Sequence, residues 1–308
     1  MTHWSKRKEG GGLLGLKTTL FLYKTLGRTL TYFVMYIVII YYFLVKRSAR
    51  NASFGYIKRI HNLSGLKLWL YSYKHFASFG EMLIDKLAVW NKSITAKNIY
   101  TSQETSDRTV KVIQSKKGGI IFTAHFGNLE VARALSTRHK GMKINALVFS
   151  ENAIKLNNML TKINPDHEIG MVSLETVTPK LAIELSDKID KGEFIVITGD
   201  RTSTTNNNRN IKINFLEDEA LIPQGPFILA NLLKCPAFFM VCPKISHNQF
   251  EFILDDFDSQ GINLNRTNRE QSMEKYANRY TLLLEKYCLK YPKQWFNFFD
   301  FWNKEDSK

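Results

Sequence analysis

Past residue 108 the chain switches between short apolar runs and stretches of helical periodicity, and that alternation restricts the fold more than any other feature. The runs TVKVI (109–113), GIIFTA (119–124), INALVFS (144–150), EFIVIT (193–198), AFFMVCP (237–243) and FEFILDDF (250–257) have the length and the β-branched or aromatic content of buried strands. Between them, Leu129–Ser136, Ala153–Lys162, Thr178–Lys191 and Pro226–Lys234 read as helices. Apolar strands joined by helices predict an α/β fold, with a mostly parallel central sheet flanked by helices and ligands gathering at the carboxyl ends of the strands. A chain of 308 residues with 44% hydrophobic content has the material to bury such a core.

The first 92 residues have a different texture, and we divide the chain into an N-terminal helical region (1–92) and an α/β domain (93–308). Thr29–Val45, TLTYFVMYIVIIYYFLV, holds 17 residues without a charge between Arg28 and Lys46-Arg47. As a helix it extends about 26 Å, a little short of a bilayer core of roughly 30 Å. Such a segment spans a membrane, lies along its face, or fills a protein core; its four tyrosines favour the headgroup region. No acidic residue falls between Glu9 and Glu81, while ten lysines and arginines do. The formal charge of +15 is therefore concentrated near the N-terminus, where amphipathic helices with basic faces suit an anionic membrane surface. The same charge would suit nucleic acid, but no zinc finger, basic zipper or aromatic RNA-binding pattern accompanies it, so no nucleic-acid partner is expected.

One strand ends in a turn that carries chemistry. GIIFTA runs into HFGNLE, in which Gly127 loosens the backbone and Asn128 is suited to cap the next helix. Glu130 then falls in the first helical turn, where the helix dipole favours a carboxylate. With His125 still in the turn, its ring is free to fold back over the helix start and meet Glu130. A carboxylate holding one ring nitrogen leaves the other to take a proton from a hydroxyl. The bland alternative has His125 ending a strand and Glu130 paired with Arg133 on the helix; Arg133 serves in either case to orient the carboxylate or merely to bridge it.

Two further blocks emerge on the same side of a parallel sheet. GEFIVITGDRTS ends a strand with Asp200 and Arg201, and Arg201 is a candidate for a phosphate or thioester-side contact or for an ion pair with Asp200. TSTTNNNRN (202–210) reads as a loop and includes Arg209, a weaker candidate of the same kind. Gly225 opens the helix of QGPFILANLL, whose N-terminus suits an anion or a developing oxyanion. The closing aromatics Tyr291, Trp295, Phe296, Phe298, Phe299, Phe301 and Trp302 either seal the core or line an acyl groove. The remaining histidines and the three cysteines lack ligand spacing, so neither a metal nor another cofactor is expected.

Taken together, AHFGNLE, ITGDR and FLEDEALIPQGPFILANLLKCP resemble the lysophospholipid acyltransferase superfamily, in its branch of lipid A late acyltransferases. The opening HWSKRKEGGGLLG and the closing YPKQWFNFFDFW are closer still to the related branch associated with bacterial aryl polyene lipid gene clusters. The resemblance implies a glycerol-phosphate acyltransferase-like fold at the cytoplasmic face of a bacterial inner membrane. It implies transfer of a fatty acyl group from acyl carrier protein or acyl-CoA to a hydroxyl of a lipid or glycolipid acceptor, with His125 as base and Glu130 as its partner. An inactive scaffold that recruits carrier protein by charge is the alternative from another class. The chain departs from the lipid A pattern where Gly199-Asp200-Arg201 replaces Asp-Gln, and where Glu217 follows Phe215-Leu216 in place of glycine.

Overall fold

A computed structural model describes residues 12–136, 143–148, 170–173, 178–201, 209–265 and 267–302. The central sheet has the order β1-β10-β8-β2-β5-β3-β4, with β9 pairing on β10. Its strands are β1 (Ile99–Thr101), β2 (Gly119–Thr123), β3 (Ile144–Val148), β4 (Gly170–Ser173), β5 (Phe194–Thr198), β8 (Ala237–Val241), β9 (Lys244–Ser246) and β10 (Gln249–Asp258). β8, β2, β5, β3 and β4 run parallel to one another, as the apolar runs predict, whereas β10 is antiparallel to β8. The antiparallel pairing follows from a short connection: β8 and β10 are adjacent in sequence apart from the three-residue β9, too short for a crossover. β6 (Asn210–Phe215) and β7 (Asp218–Pro223) form a separate hairpin.

Three helices, α1 (Gly12–Val45), α2 (Arg47–His61) and α3 (Gly65–Trp90), precede the sheet. The later ones are α4 (Gln103–Gln114), α5 (Leu129–Ser136), α6 (Pro179–Asp190), α7 (Gly225–Leu233) and α8 (Arg269–Lys290). Two hydrophobic clusters lie on the two faces of the sheet. Ile120, Phe122, Phe239 and Ile197 point into one with Tyr56, Ile57 and Tyr280, and Ile121, Val196 and Met240 into the other with Ile84, Leu87 and Val131. Residues of α2 and α3 therefore complete the same cores that the sheet residues begin.

The reading of 109–113 as a strand is corrected by the structure, which places TVKVI inside α4. The Ser102 hydroxyl accepts the Thr105 N–H at the helix start, and Thr105 and Thr109 are buried one turn apart. Arg108 on α4 meets the Leu254 carbonyl at 2.5 Å and Asp256 at 3.1 Å, so packing on β10 overrides the β preference of two valines and an isoleucine. The expected helix Ala153–Lys162 and most of the 202–210 loop lie outside the described residues.

α1 is broken at Gly27 (φ 73°, ψ 176°), after which the apolar segment continues to Val45. Thr18–Val45, whose most apolar 18-residue window has a mean hydropathy of 1.7, is the one helix among the described residues long and apolar enough to cross a membrane. Only 22% of its most apolar window is buried, which sets aside the core-helix reading. Phe33, Ile37, Tyr41 and Leu44 are exposed, each by more than half. The opposite side packs on α3 so closely that a Cβ at Gly80 would lie 2.1 Å from Met35 Sδ. Charge adds to the fit: Arg28 and Lys244 reach the fully buried Asp85 at 2.5 and 3.0 Å, and Tyr32 donates to the same carboxylate.

Candidate active site

β2 and β5 are neighbouring parallel strands whose register pairs Thr123 with Thr198. The ladder carries one step further, the Gly199 N–H donating to the Thr123 carbonyl at 3.1 Å. His125 and Asp200 each stand two residues beyond the paired threonines, so they leave the sheet side by side at its carboxyl edge. Nδ1 of His125 lies 2.8 Å from Oδ1 of Asp200, and the His125 backbone N–H donates to Oδ2 at 2.8 Å. The Trp295 indole N–H donates to Oδ2 as well, at 2.9 Å.

The Asp200 side chain has no exposed surface. Burial alone would push its carboxyl up, but the charges of His125 and Arg201 and the hydrogen bonds from His125 hold it below the usual carboxylate range. An ionised carboxylate only accepts hydrogen bonds, so the tautomer the geometry selects has the proton on Nδ1 and the lone pair on Nε2. The His125 side chain is 30% exposed, and among the described residues nothing bonds Nε2. The arrangement is a buried acid holding the inner edge of an imidazole whose outer edge faces solvent.

Glu130 sits elsewhere. Its Oε1 pairs with Lys86 of α3 at 2.9 Å, joining α3 to the first turn of α5. The expectation that Glu130 holds the ring is thus replaced by Asp200. The reason is that adjacent strands in register bring their carboxyl ends together, while a helix starting at Leu129 carries Glu130 away with α5. Asn128 caps that helix as its residue type suggests: its Oδ1 accepts the Glu130 N–H at 3.2 Å, and its Nδ2 donates to the Met82 carbonyl at 3.2 Å. The Arg133 side chain lies outside the described part of α5.

Gly127 is held in a left-handed conformation (φ 61°), and an added Cβ would come within 2.3 Å of the Cys242 carbonyl oxygen. Its own N–H donates to Gln294, that of Phe126 to Ala124, and that of Asn128 to Cys242. With the His125 N–H on Asp200, all four amides of the turn are committed to the fold.

Arg201 is half-buried beside Asp200, close enough for its charge to act on that carboxyl. Arg209 is exposed at the start of β6, its carbonyl accepting the Gln224 N–H at 2.9 Å, which places it next to Gly225 at the N-terminus of α7. Among the described residues, the hydrogen bonds of the His125–Asp200 pair involve neither Arg209 nor Gly225. Among the described residues no group of three or more His, Cys, Asp or Glu is placed to hold a metal ion. Sequence reasoning missed two contributors. Trp295 entered only as one of seven aromatics, and the fully buried His75, which holds the Trp295 carbonyl at 2.8 Å through Nε2, entered only as a scattered histidine.

A parallel α/β sheet with a histidine and a buried acid at the carboxyl ends of adjacent central strands defines a candidate hydroxyl-activating site. Sequence comparison gives the class its family: the profile of the bacterial lipid A biosynthesis acyltransferases matches residues 72–304. The chain belongs to that family and is an acyltransferase, with an acyl donor and a lipid acceptor as its substrates in general terms. Comparison with curated protein sequences returns no significant match.

Proposed function

We propose that the protein transfers a fatty acyl group from an acyl thioester, on acyl carrier protein or coenzyme A, to a hydroxyl of a lipid or glycolipid, with His125 as general base. The observation that carries this reading is the hydrogen bond between His125 Nδ1 and the buried Asp200, which leaves Nε2 as an exposed proton acceptor. The acceptor hydroxyl gives its proton to Nε2 as its oxygen bonds to the thioester carbonyl carbon. Collapse of the tetrahedral species breaks the C–S bond, and the imidazolium returns the proton to the departing thiolate. Asp200 keeps the ring in the productive tautomer and stabilises the transient positive charge.

The amides of residues 125 to 128 are already bonded, and Arg201, whose charge acts on Asp200, is assigned to the developing oxyanion. Arg209 and the N-terminus of α7 at Gly225 are assigned to the anionic parts of the substrates, away from the reacting carbon. Glu130, tied to Lys86, fixes the start of α5 and with it the turn that bears His125. We place the enzyme at the cytoplasmic face of a bacterial inner membrane, seated by the exposed apolar side of α1 and the basic residues of α2. The opening and closing sequences favour the branch found with aryl polyene lipid gene clusters. Lipid extracts of cells with and without the gene, compared by mass spectrometry, test the assignment: an acylated species that disappears with the gene and returns with it identifies the acceptor. An unchanged lipid profile with no acyl transfer in membranes would sink it.

A further inference from the structure

We infer that Trp295 is a positioning residue for the active site, acting through Asp200, and that the C-terminal strap of residues 294–302 exists in part to deliver its indole N–H. This inference rests on the reading of His125 and Asp200 as the reacting pair.

The strap is fastened to the active-site turn on both sides of Trp295. The Gly127 N–H donates to the Gln294 carbonyl at 2.9 Å and the Phe296 N–H to the His125 carbonyl at 2.7 Å, a short antiparallel bridge beside the catalytic turn. Gln294 also exchanges two hydrogen bonds with the backbone of Lys244, at 2.8 and 2.7 Å. Trp295 itself is fully buried, with its ring 5.1 Å from that of Tyr56, 5.2 Å from Phe215 and 5.0 Å from Phe301. Its carbonyl accepts from His75 Nε2 at 2.8 Å, and His75 Nδ1 lies 3.0 Å from the Ser53 hydroxyl.

An aromatic ring needed only for packing would be as well served by phenylalanine. Here the single polar atom of the indole is aimed at Oδ2 of a carboxylate with no exposed surface. A carboxylate that accepts one bond from the imidazole alone is free to rotate about its Cβ–Cγ axis. With Oδ2 held by the Trp295 indole and the His125 amide, Oδ1 stays in line with Nδ1. Withdrawing the indole donor also leaves more negative charge for the imidazole, which makes the ring harder to deprotonate.

The test uses full-length protein in its membranes, with labelled acyl thioester as donor. In the first variant, Trp295→Phe, kcat is expected to fall roughly ten- to a hundredfold with the donor KM unchanged. The acid limb of the kcat profile is expected to move to higher pH. Where Trp295→Phe fails to fold, incorporating benzothienylalanine at position 295, with sulfur in place of the indole N–H, keeps the ring and removes the donor; the same shift is expected. In an Asp200→Asn background the substitution should cost less than threefold, since the bond it removes no longer serves an ionised acid. Wild-type kcat in the benzothienyl protein, or an unmoved acid limb with fully additive losses in the double variant, overturns the inference. If His125→Ala retains full activity, the reading of the pair fails instead, and the two failures are thereby told apart.

Discussion

Oδ1 of Asp200 lies 2.8 Å from Nδ1 of His125, although 75 residues separate them. The contact is produced by two strands of five residues each, β2 and β5, whose register aligns the positions from which both side chains leave the sheet. Because Asp200 is fully buried, the pair faces little competition from water, and the ring is held at one edge only.

His125→Ala is expected to lower acyl transfer by at least about a thousandfold, the scale of losing a positioned base. The ring is partly exposed, but its loss takes one partner from the buried Asp200 carboxylate, so the thermal midpoint should fall by roughly 2–6 °C with the fold retained. Radiolabelled transfer in membranes and a melting curve measure the two quantities.

Asp200→Asn and Glu130→Gln separate the acid on the ring from the acid on the helix. The first should reduce kcat by roughly a thousandfold, because an amide no longer enforces the Nδ1-protonated tautomer. The second loses the ion pair with Lys86 and should cost no more than about tenfold, through a looser helix start. The reverse ranking of the two kcat values would return the role of partner to Glu130.

His75 governs part of the acid sensitivity of the fold. Burial, opposed by the bond to the Trp295 carbonyl, pushes its imidazole down from 6.5 to about 4. The unfolded chain therefore binds a proton that the folded one refuses, so stability is constant above about pH 6.5 and declines between there and pH 4. The decline attributable to this residue is about 3 kcal/mol at most. His75→Gln retains a donor for the carbonyl and has no proton to gain, so its melting temperature should stay flatter across that window. Asp200 acts in a lower range: its carboxyl is depressed, and its contribution is present at neutral pH and lost only below the ordinary carboxylate range.

Glu217→Gly should stabilise the protein by about 1 kcal/mol, raising the melting midpoint by about 2 °C. The hairpin between β6 and β7 turns through Leu216 (φ 51°) and Glu217 (φ 66°), both left-handed and neither glycine. Leu216 is buried and its N–H donates to Glu285 at 2.9 Å, so it is costly to change. Glu217 is exposed, and glycine there would relieve the backbone without disturbing a packed side chain.

What the sequence by itself determined follows from local chemistry. The apolar runs of β2, β3, β5, β8 and β10 announced strands, helical periodicity announced α5, α6 and α7, and Asn128 announced a cap, because each depends on residues within a few positions of one another. His125, Asp200 and Arg201 were recognisable as strand-end residues for the same reason. Where local preference met a tertiary contact, the contact prevailed: TVKVI became helix once Ser102 capped it and Arg108 anchored it to β10. Strand order and register belong to the tertiary structure alone, since they are set by how separate apolar faces pack and not by any one segment. They decided that the ring of His125 meets Asp200 instead of the Glu130 five residues away. They also decided that an indole 95 positions from Asp200 closes on the same buried carboxylate.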